Sequence, residues 1–261
     1  VTSIEYFGRG VDARSRPYEI DYDGSLLLGD SAHHAMLVSD DNDNKWVLKS
    51  NEVSYAKASN EIEMLERFQR EGVPTLPFNG KKPFLVKLDD KDAAAELYLP
   101  YVEGLQPLTR LEWGVEVGTD DYSKRLKDLE LCINLAAKMH RRGFVHGDFQ
   151  IKNIGQLRSG KHITFDLENA AEINPKTQIS DRAGDLVSLL KSVRLNGLFS
   201  NTNPKVVDDE VSNILFKYVE KFELDDYSIE VAELAQSRFI NWSNDPESIK
   251  RALSRFIITR A

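Results

Sequence analysis

The feature that most constrains this chain is a change of apolar rhythm near Gly104. Before it, apolar residues fall in strand-length runs; beyond it, they recur at helical spacing. Residues 25–29, 35–39 and 45–49 read as three strands, the last two joined by the turn signal Asp40-Asp41-Asn42-Asp43-Asn44. A helix follows with Ala58, Ile62, Leu65 and Phe68 on one face, and Gly72 and Pro74 stop it. Residues 83–88 and 96–102 read as two further strands. In the second half, Leu126, Leu129, Ile133, Ala136 and Ala137 mark a helix that ends near Gly143. Two short strands over 153–157 and 162–166 then precede helices over 183–193, 207–222, 229–240 and 249–257. The expected class is α+β. The expected organisation is an N-terminal arm over 1–22, a sheet-rich lobe over 23–103 and a helical lobe over 104–261.

Composition narrows the function. The 261 residues are 41% apolar and 29% charged, ordinary for a soluble globular protein. A formal net charge of -8 argues against a nucleic-acid partner, whose phosphates need Lys and Arg. A local basic patch is left open around Arg141 and Arg142. The single cysteine, Cys132, lies in a helical apolar pattern and reads as a buried structural thiol. No apolar run is long enough to span a bilayer and no signal peptide opens the chain, so the expected location is cytoplasmic.

The densest chemical signal is His146-Gly147-Asp148-Phe149-Gln150-Ile151-Lys152-Asn153. Here a carboxylate and, five residues on, an amide follow a helix that ends in glycine. Phosphoryl transfer needs a carboxylate near the attacking hydroxyl and an amide oxygen to hold magnesium. Thirteen residues further, Asp166 closes the apolar run His162-Ile163-Thr164-Phe165 and is placed to meet a magnesium–phosphate group. Taken singly, each residue has an ordinary reading. The adjacent His33 and His34 splay apart on a strand and lack partners at metal-ligand spacing.

These residues resemble the protein-kinase-like superfamily. The loop is similar to that superfamily's catalytic loop, with Gly147 where many protein kinases have Arg, a variant familiar in RIO kinases and aminoglycoside-type phosphotransferases. Asp166-Leu167-Glu168 resembles its magnesium-binding triplet, with Glu168 replacing Gly. The resemblance implies a two-lobed protein-kinase-like fold that uses ATP and Mg2+. It implies that Asp148 is the catalytic base and that Asn153 and Asp166 hold magnesium. Lys49, closing Trp46-Val47-Leu48-Lys49, would grip the phosphates, with Glu61 on the following helix as its partner. Tyr101 and Val102 would form the adenine hinge, Gly29 and Ser31 the phosphate-side loop, and Asp185 a brace for the catalytic loop.

Three departures stand out. The glycine-rich loop, from Gly29 to Ala35, keeps only its first glycine. Glu168 lacks glycine's backbone freedom. Only 19 residues separate Asp166 from Asp185, so the usual activation segment is cut short. The first expectation for the acceptor is a protein Ser/Thr hydroxyl. The interval from Gly104 to His146, near protein-kinase length, is taken to disfavour a small-molecule kinase acting on a sugar, aminoglycoside or glycan. A nucleotide-binding pseudokinase and an AMP transferase are further readings.

Overall fold

Strict alternation decides the geometry of the strand that carries Lys49. In β3 (Lys45–Ser50), Trp46 and Leu48 are buried on one face, while Val47 and Lys49 point to the other. β3 lies in a five-stranded antiparallel sheet with β1 (Ile20–Gly29), β2 (His34–Asp40), β4 (Phe84–Lys87) and β5 (Ala95–Pro100), in the order β1-β2-β3-β5-β4. The structure, a computed structural model, describes residues 20–29, 34–40, 42–50, 54–78, 80–87, 95–199 and 202–244. Residues 1–19 of the expected arm, Ser31 and the helix expected over 249–257 lie outside the described residues.

Both faces of the sheet are used. Val38, Trp46, Leu48, Val86 and Tyr98 form a small cluster on one, where Phe84 stacks on Tyr98 at 4.6 Å and meets Trp46 edge-on at 5.2 Å. Ala95, Leu97 and Leu99 face the other way, into the main core. There they join helix α1 (Tyr55–Arg70), which Ser54 caps by accepting a bond from the Lys57 N–H. The buried positions of α1 are Ala58, Glu61, Met64, Leu65 and Phe68. Ile62, expected on the same face, is half-buried against the core, and Glu61 beside it is fully buried.

The main core runs without a break into the helical lobe, through Phe68, Val73 and Leu76 to α2 (Asp120–Arg141), α3 (Gln178–Leu195), α4 (Pro204–Glu220) and α5 (Asp226–Ser243). The link from Pro74 and Thr75 to β9 (His162–Thr164) is hydrogen-bonded: Thr164 N–H donates to Pro74 O at 3.1 Å, and the Thr75 hydroxyl to Thr164 O at 2.8 Å. β9 pairs with β8 (Ile154–Gln156), which pairs with β6 (Gln106–Pro107). A second small pair, β7 (Phe144–Val145) with β10 (Ala171–Glu172), brings the segments after α2 and after β9 side by side. Cys132 is fully buried in α2, and burial pushes its thiol up. Among the described residues, no helix is long and apolar enough to cross a membrane.

The β2–β3 hairpin is held by one side chain. Asp40 is 3% exposed, and its carboxylate accepts from Asn42 N–H (2.9 Å), Asn44 N–H (2.8 Å), the Asn44 amide (2.9 Å) and the Trp46 indole N–H (3.0 Å). The turn signal in the sequence is therefore also the anchor of the largest side chain in the outer cluster. Replacing Asp40 by Ala leaves the indole N–H and the turn amides without that acceptor. The expected loss is about 1.5–3 kcal/mol in chemical denaturation, with a shift in tryptophan fluorescence. An unchanged midpoint would show that water satisfies the turn equally well.

Candidate active site

Lys49 emerges from β3 on the face that looks at α1, opposite Glu61. Its ammonium lies 2.9 Å from both Glu61 oxygens and 2.5 Å from Asp166 Oδ1. Glu61 has no solvent exposure, and the Lys49 side chain has 13%. Burial alone would lower the Lys49 pKa, but the two carboxylates outweigh it and raise the value above that of an ordinary lysine. Burial likewise pushes Asp166 up, and Lys49 overrides it to hold Asp166 below its usual range. Glu61 is pushed up by burial, against the pull of Lys49. The ammonium thus stays charged and ties strand, helix and the segment after β9 to one point.

The expected strand over 162–166 stops early. β9 ends at Thr164, and Asp166 takes a left-handed backbone conformation with φ 62°. Asp tolerates that region better than most residues, because its short side chain can bond locally. The turn carries the carboxylate back toward Lys49, while Leu167 is buried in the core. Glu168, in glycine's place, is not among the described residues with positive φ. Its carboxylate instead meets Lys57 of α1 at 3.0 Å. Asn60 on the same helix donates to Glu168 O and Ala170 O, both at 3.0 Å, and Arg67 pairs with Glu172. Helix α1 is therefore pinned along the whole 166–172 segment.

The loop after β7 is built on Asp185 of α3. This carboxylate, 2% exposed, accepts from the backbone N–H groups of His146 (2.8 Å) and Gly147 (3.0 Å) and from His140 Nε2 (3.1 Å). Because a carboxylate only accepts, His140 carries its proton on Nε2, and its Nδ1 accepts from the Tyr218 hydroxyl of α4 at 2.9 Å. His146 follows the same logic: Nε2 donates to Phe165 O at 3.1 Å, and Nδ1 faces the Asp148 N–H at 3.4 Å. Burial lowers both histidines, so both are neutral at pH 7. Gly147 has φ 76°, and a Cβ there would lie 2.4 Å from Asn169 O. No side chain fits between the loop after β7 and the turn after Asp166, which accounts for glycine at this position.

Asp148 is half-buried at the head of the loop. Asn153 donates its amide N–H groups to Asp148 O (2.9 Å) and Oδ2 (3.0 Å), and Gln150 donates to Oδ1. Both acceptors of the Asn153 amide are oxygens, so its nitrogen must face them and its oxygen must face away. Among the described residues, Asn153 Oδ1 and Asp166 Oδ2 accept no bond. Two hard oxygen atoms of this kind suit magnesium, which takes one or two protein ligands and completes its shell with phosphate and water. The site residues fit the implied cation on that ground.

The remaining expected residues divide. Gly29 closes β1, paired with Ala35, while Ser31 lies outside the described residues. The Tyr101 N–H is already spent on Lys45 O at 3.2 Å, which extends the β3–β5 ladder. The carbonyl of Val102 accepts from Leu105 N–H at 3.2 Å, and among the described residues the Val102 N–H meets no acceptor. The sequence reading did not single out Lys57, Asn60, Gln150 or Lys152. The signal for the last two was their place inside the loop motif; a helix-surface pattern hides the first two.

Two outcomes follow from the buried charges and from the loop. Lys49→Met strands Glu61 without its cation and should cost about 3–5 kcal/mol, whereas Lys49→Met combined with Glu61→Leu should recover much of that loss. Strictly additive losses in denaturation would mean the two groups do not act as a pair. Gly147→Ala should cost at least about 1–3 kcal/mol from its backbone conformation alone. A stable variant with unchanged nucleotide affinity would refute the close packing against Asn169.

Comparison with known proteins extends this geometry. No curated protein matches the chain in sequence. A solved structure described as WaaP in complex with acyl carrier protein aligns at 16% identity with a TM-score of 0.46, covering 80% of this chain and 89% of that one. The family described as Lipopolysaccharide kinase (Kdo/WaaP) matches residues 44–218, from β3 through α4. With two-thirds of its length matched, Lys49, Glu61, Asp148, Asn153 and Asp166 all among them, the chain belongs to the lipopolysaccharide kinase (Kdo/WaaP) family, a kinase-like phosphotransferase family of the protein-kinase-like superfamily.

Proposed function

We propose that this chain transfers the γ-phosphate of ATP to a hydroxyl of a sugar or glycan. The observation that carries the acceptor choice is the brevity of the chain between Asp166 and α3. Residues 167–177 contain only the pinned 166–172 segment with β10, then a turn into Gln178. An extended peptide acceptor is recognised along its backbone by an exposed edge or groove. This segment is already bonded to α1 and to β7 and offers little of either. The family's description as a lipopolysaccharide kinase family supports the same choice. The expectation of a protein Ser/Thr acceptor therefore gives way to the sugar or glycan alternative. The interval from Gly104 to His146, which disfavoured that alternative, is a weak guide. It consists of β6, a 3-10 turn, short loops and α2, whose buried side packs into the main core.

In this reading the 23–103 lobe and the 104–261 lobe hold the nucleotide between them. The Val102 N–H meets the base. Lys49, held rigid by Glu61, neutralises phosphate oxygens. Asn153 Oδ1 and Asp166 hold magnesium, which when bound screens the charge of the phosphates. Because Asp166 Oδ1 is paired with Lys49, Oδ2 is the oxygen that would be left for the cation. Asp148, oriented by Asn153 and Gln150, accepts the proton as the acceptor oxygen bonds to phosphorus and ADP leaves. Little covalent work falls to the protein; positioning and charge neutralisation provide the acceleration.

The test is transfer of labelled phosphate from ATP to a panel of free sugars, lipopolysaccharide-type glycans and Ser/Thr peptides, with and without magnesium. Sugar or glycan labelling that needs magnesium is expected, and Asp148→Asn should reduce it by about 10²–10⁴-fold with ATP affinity nearly unchanged. Faster labelling of peptides than of any sugar would overturn the acceptor choice. Transfer of AMP, seen as its mass on the acceptor, would overturn the reaction itself.

A further inference from the structure

The turn after Asp166 brings one uncommitted side chain to the edge of the site. Asn169 is exposed, and among the described residues its amide oxygen accepts no bond. We propose that Asn169 is an acceptor-specificity residue, whose amide binds the ring hydroxyl next to the one that Asp148 receives. The proposal rests on the sugar or glycan reading and deepens it, by naming a residue that tells a sugar from a serine or threonine.

Position comes first. A Cβ at Gly147 would lie 2.4 Å from Asn169 O and 3.1 Å from Asn169 Cβ. The Asn169 side chain therefore starts beside the residue that precedes Asp148, with its Cβ within about 8.5 Å of the Asp148 Cα. A gap of that order admits one sugar ring. The backbone that carries the amide is fixed without any ligand. Asn60 of α1 donates to the carbonyls on either side of Asn169, Glu168 O and Ala170 O, both at 3.0 Å. Ala170 N–H closes a turn on Leu167 O at 3.0 Å, and Ala171 then pairs with Val145, just before the loop that carries Asp148.

Availability comes next. The other side chains of the turn are spent: Leu167 and Ala170 are buried, and Glu168 meets Lys57. Among the described residues, the Asn169 amide nitrogen makes one long bond, 3.3 Å to Glu168 Oε1. A better partner displaces it at little cost, because Lys57 keeps that carboxylate. Lys49, Asn153 and Asp166 serve phosphate and magnesium in the same reading, so they are not open to the acceptor.

Chemistry then follows. An ionised carboxylate only accepts, so Asp148 receives one hydroxyl and leaves its neighbours unread. An amide carries both donors and an acceptor, and it binds a neighbouring hydroxyl in either role. A sugar ring offers such a neighbour; the side chain of serine or threonine offers none. Two contacts also fix which ring hydroxyl faces phosphorus, since a shift by one position breaks one of them. Asn169 takes no part in the proton transfer: the acceptor's proton goes to Asp148 as its oxygen bonds to phosphorus and ADP leaves.

The test measures transfer from ATP with magnesium to the free sugars and lipopolysaccharide-type glycans of the labelling panel, for the wild type, Asn169→Leu and Asn169→Gln. Leu keeps the size of Asn without its hydrogen bonds. For the acceptor labelled fastest, Asn169→Leu should raise KM on the order of 10-fold, the loss of about one hydrogen bond. Phosphate should also appear at more than one ring position in the NMR spectrum of the product. Asn169→Gln should restore most of the acceptor affinity. The KM for ATP should stay at the wild-type value in both variants, which reports that they are folded around the nucleotide. A residue that only shaped the turn would change the rate without moving phosphate to another hydroxyl. If Asn169→Leu keeps either the acceptor KM or the ring position of the wild type, or if its KM for ATP rises as much as that for the acceptor, the role of Asn169 is overturned while the sugar reading stands. If the wild type labels no sugar or glycan, that reading fails, and the role of Asn169 with it.

Discussion

The ammonium of Lys49, held between Glu61 and Asp166, is the interaction on which the rest of the site depends. It joins three pieces of chain that are far apart in sequence: a strand, a helix and the turn that follows β9. Two carboxylates around one buried cation leave a net negative charge in a region largely shielded from water. Such an arrangement is costly unless the geometry is good and something further neutralises it. Both conditions point the same way. The bidentate contact to Glu61 supplies the geometry, and Asp166 keeps an oxygen available for a second cation. The pinning of α1 by Lys57, Asn60 and Arg67 keeps Glu61 at that point, so the pair does not rely on its own attraction to stay formed. The helix and the Asp166 segment are thereby bonded together at several points.

Much of the fold was legible because alternation and helical spacing report burial directly. The strand–strand–strand–helix–strand–strand order and the four described C-terminal helices follow from apolar positions alone. The elements that escaped are those where a polar group wins over the pattern. On α1 the apolar reading found Ala58, Leu65 and Phe68 on the buried face, but not that Glu61, paired with Lys49, is buried with them while Ile62 is only half-buried. At the end of β9 the apolar run suggested continued strand, but Asp166 leaves it in a left-handed turn to reach Lys49. β6, β7 and β10 are two residues each and carry no period to detect. Hydrogen bonding to their partners, not residue type, defines them.

The site divides in the same manner. Lys49, Glu61, Asp148, Asn153 and Asp166 were readable because residue type, order and element together restrict the choice. Their support was not readable. Nothing in the sequence says that the Tyr101 N–H belongs to Lys45 O, since that bond depends on where the β3–β5 ladder ends. Nor does spacing reveal why position 147 is glycine; the reason is the carbonyl of Asn169, brought there by the β7–β10 pair.

That close approach connects to the histidines beneath it. The neutral state of His140 and His146 is forced by burial, and each proton is fixed by a neighbour that can only accept. The result is a directed chain of bonds: Tyr218 to His140, His140 to Asp185, the loop amides to Asp185, and His146 to Phe165 beside Asp166. Helix α4 is thereby tied to the loop that carries Asp148 and, through Phe165, to the turn that carries Asp166. In this kinase-like chain the segment between Asp166 and α3 is only eleven residues, too short to fold over the site and set these two carboxylates in place. The buried histidine–aspartate chain provides that placement from below: burial lowers both histidines, which keeps both neutral at pH 7, and each holds its proton on the nitrogen that faces its acceptor.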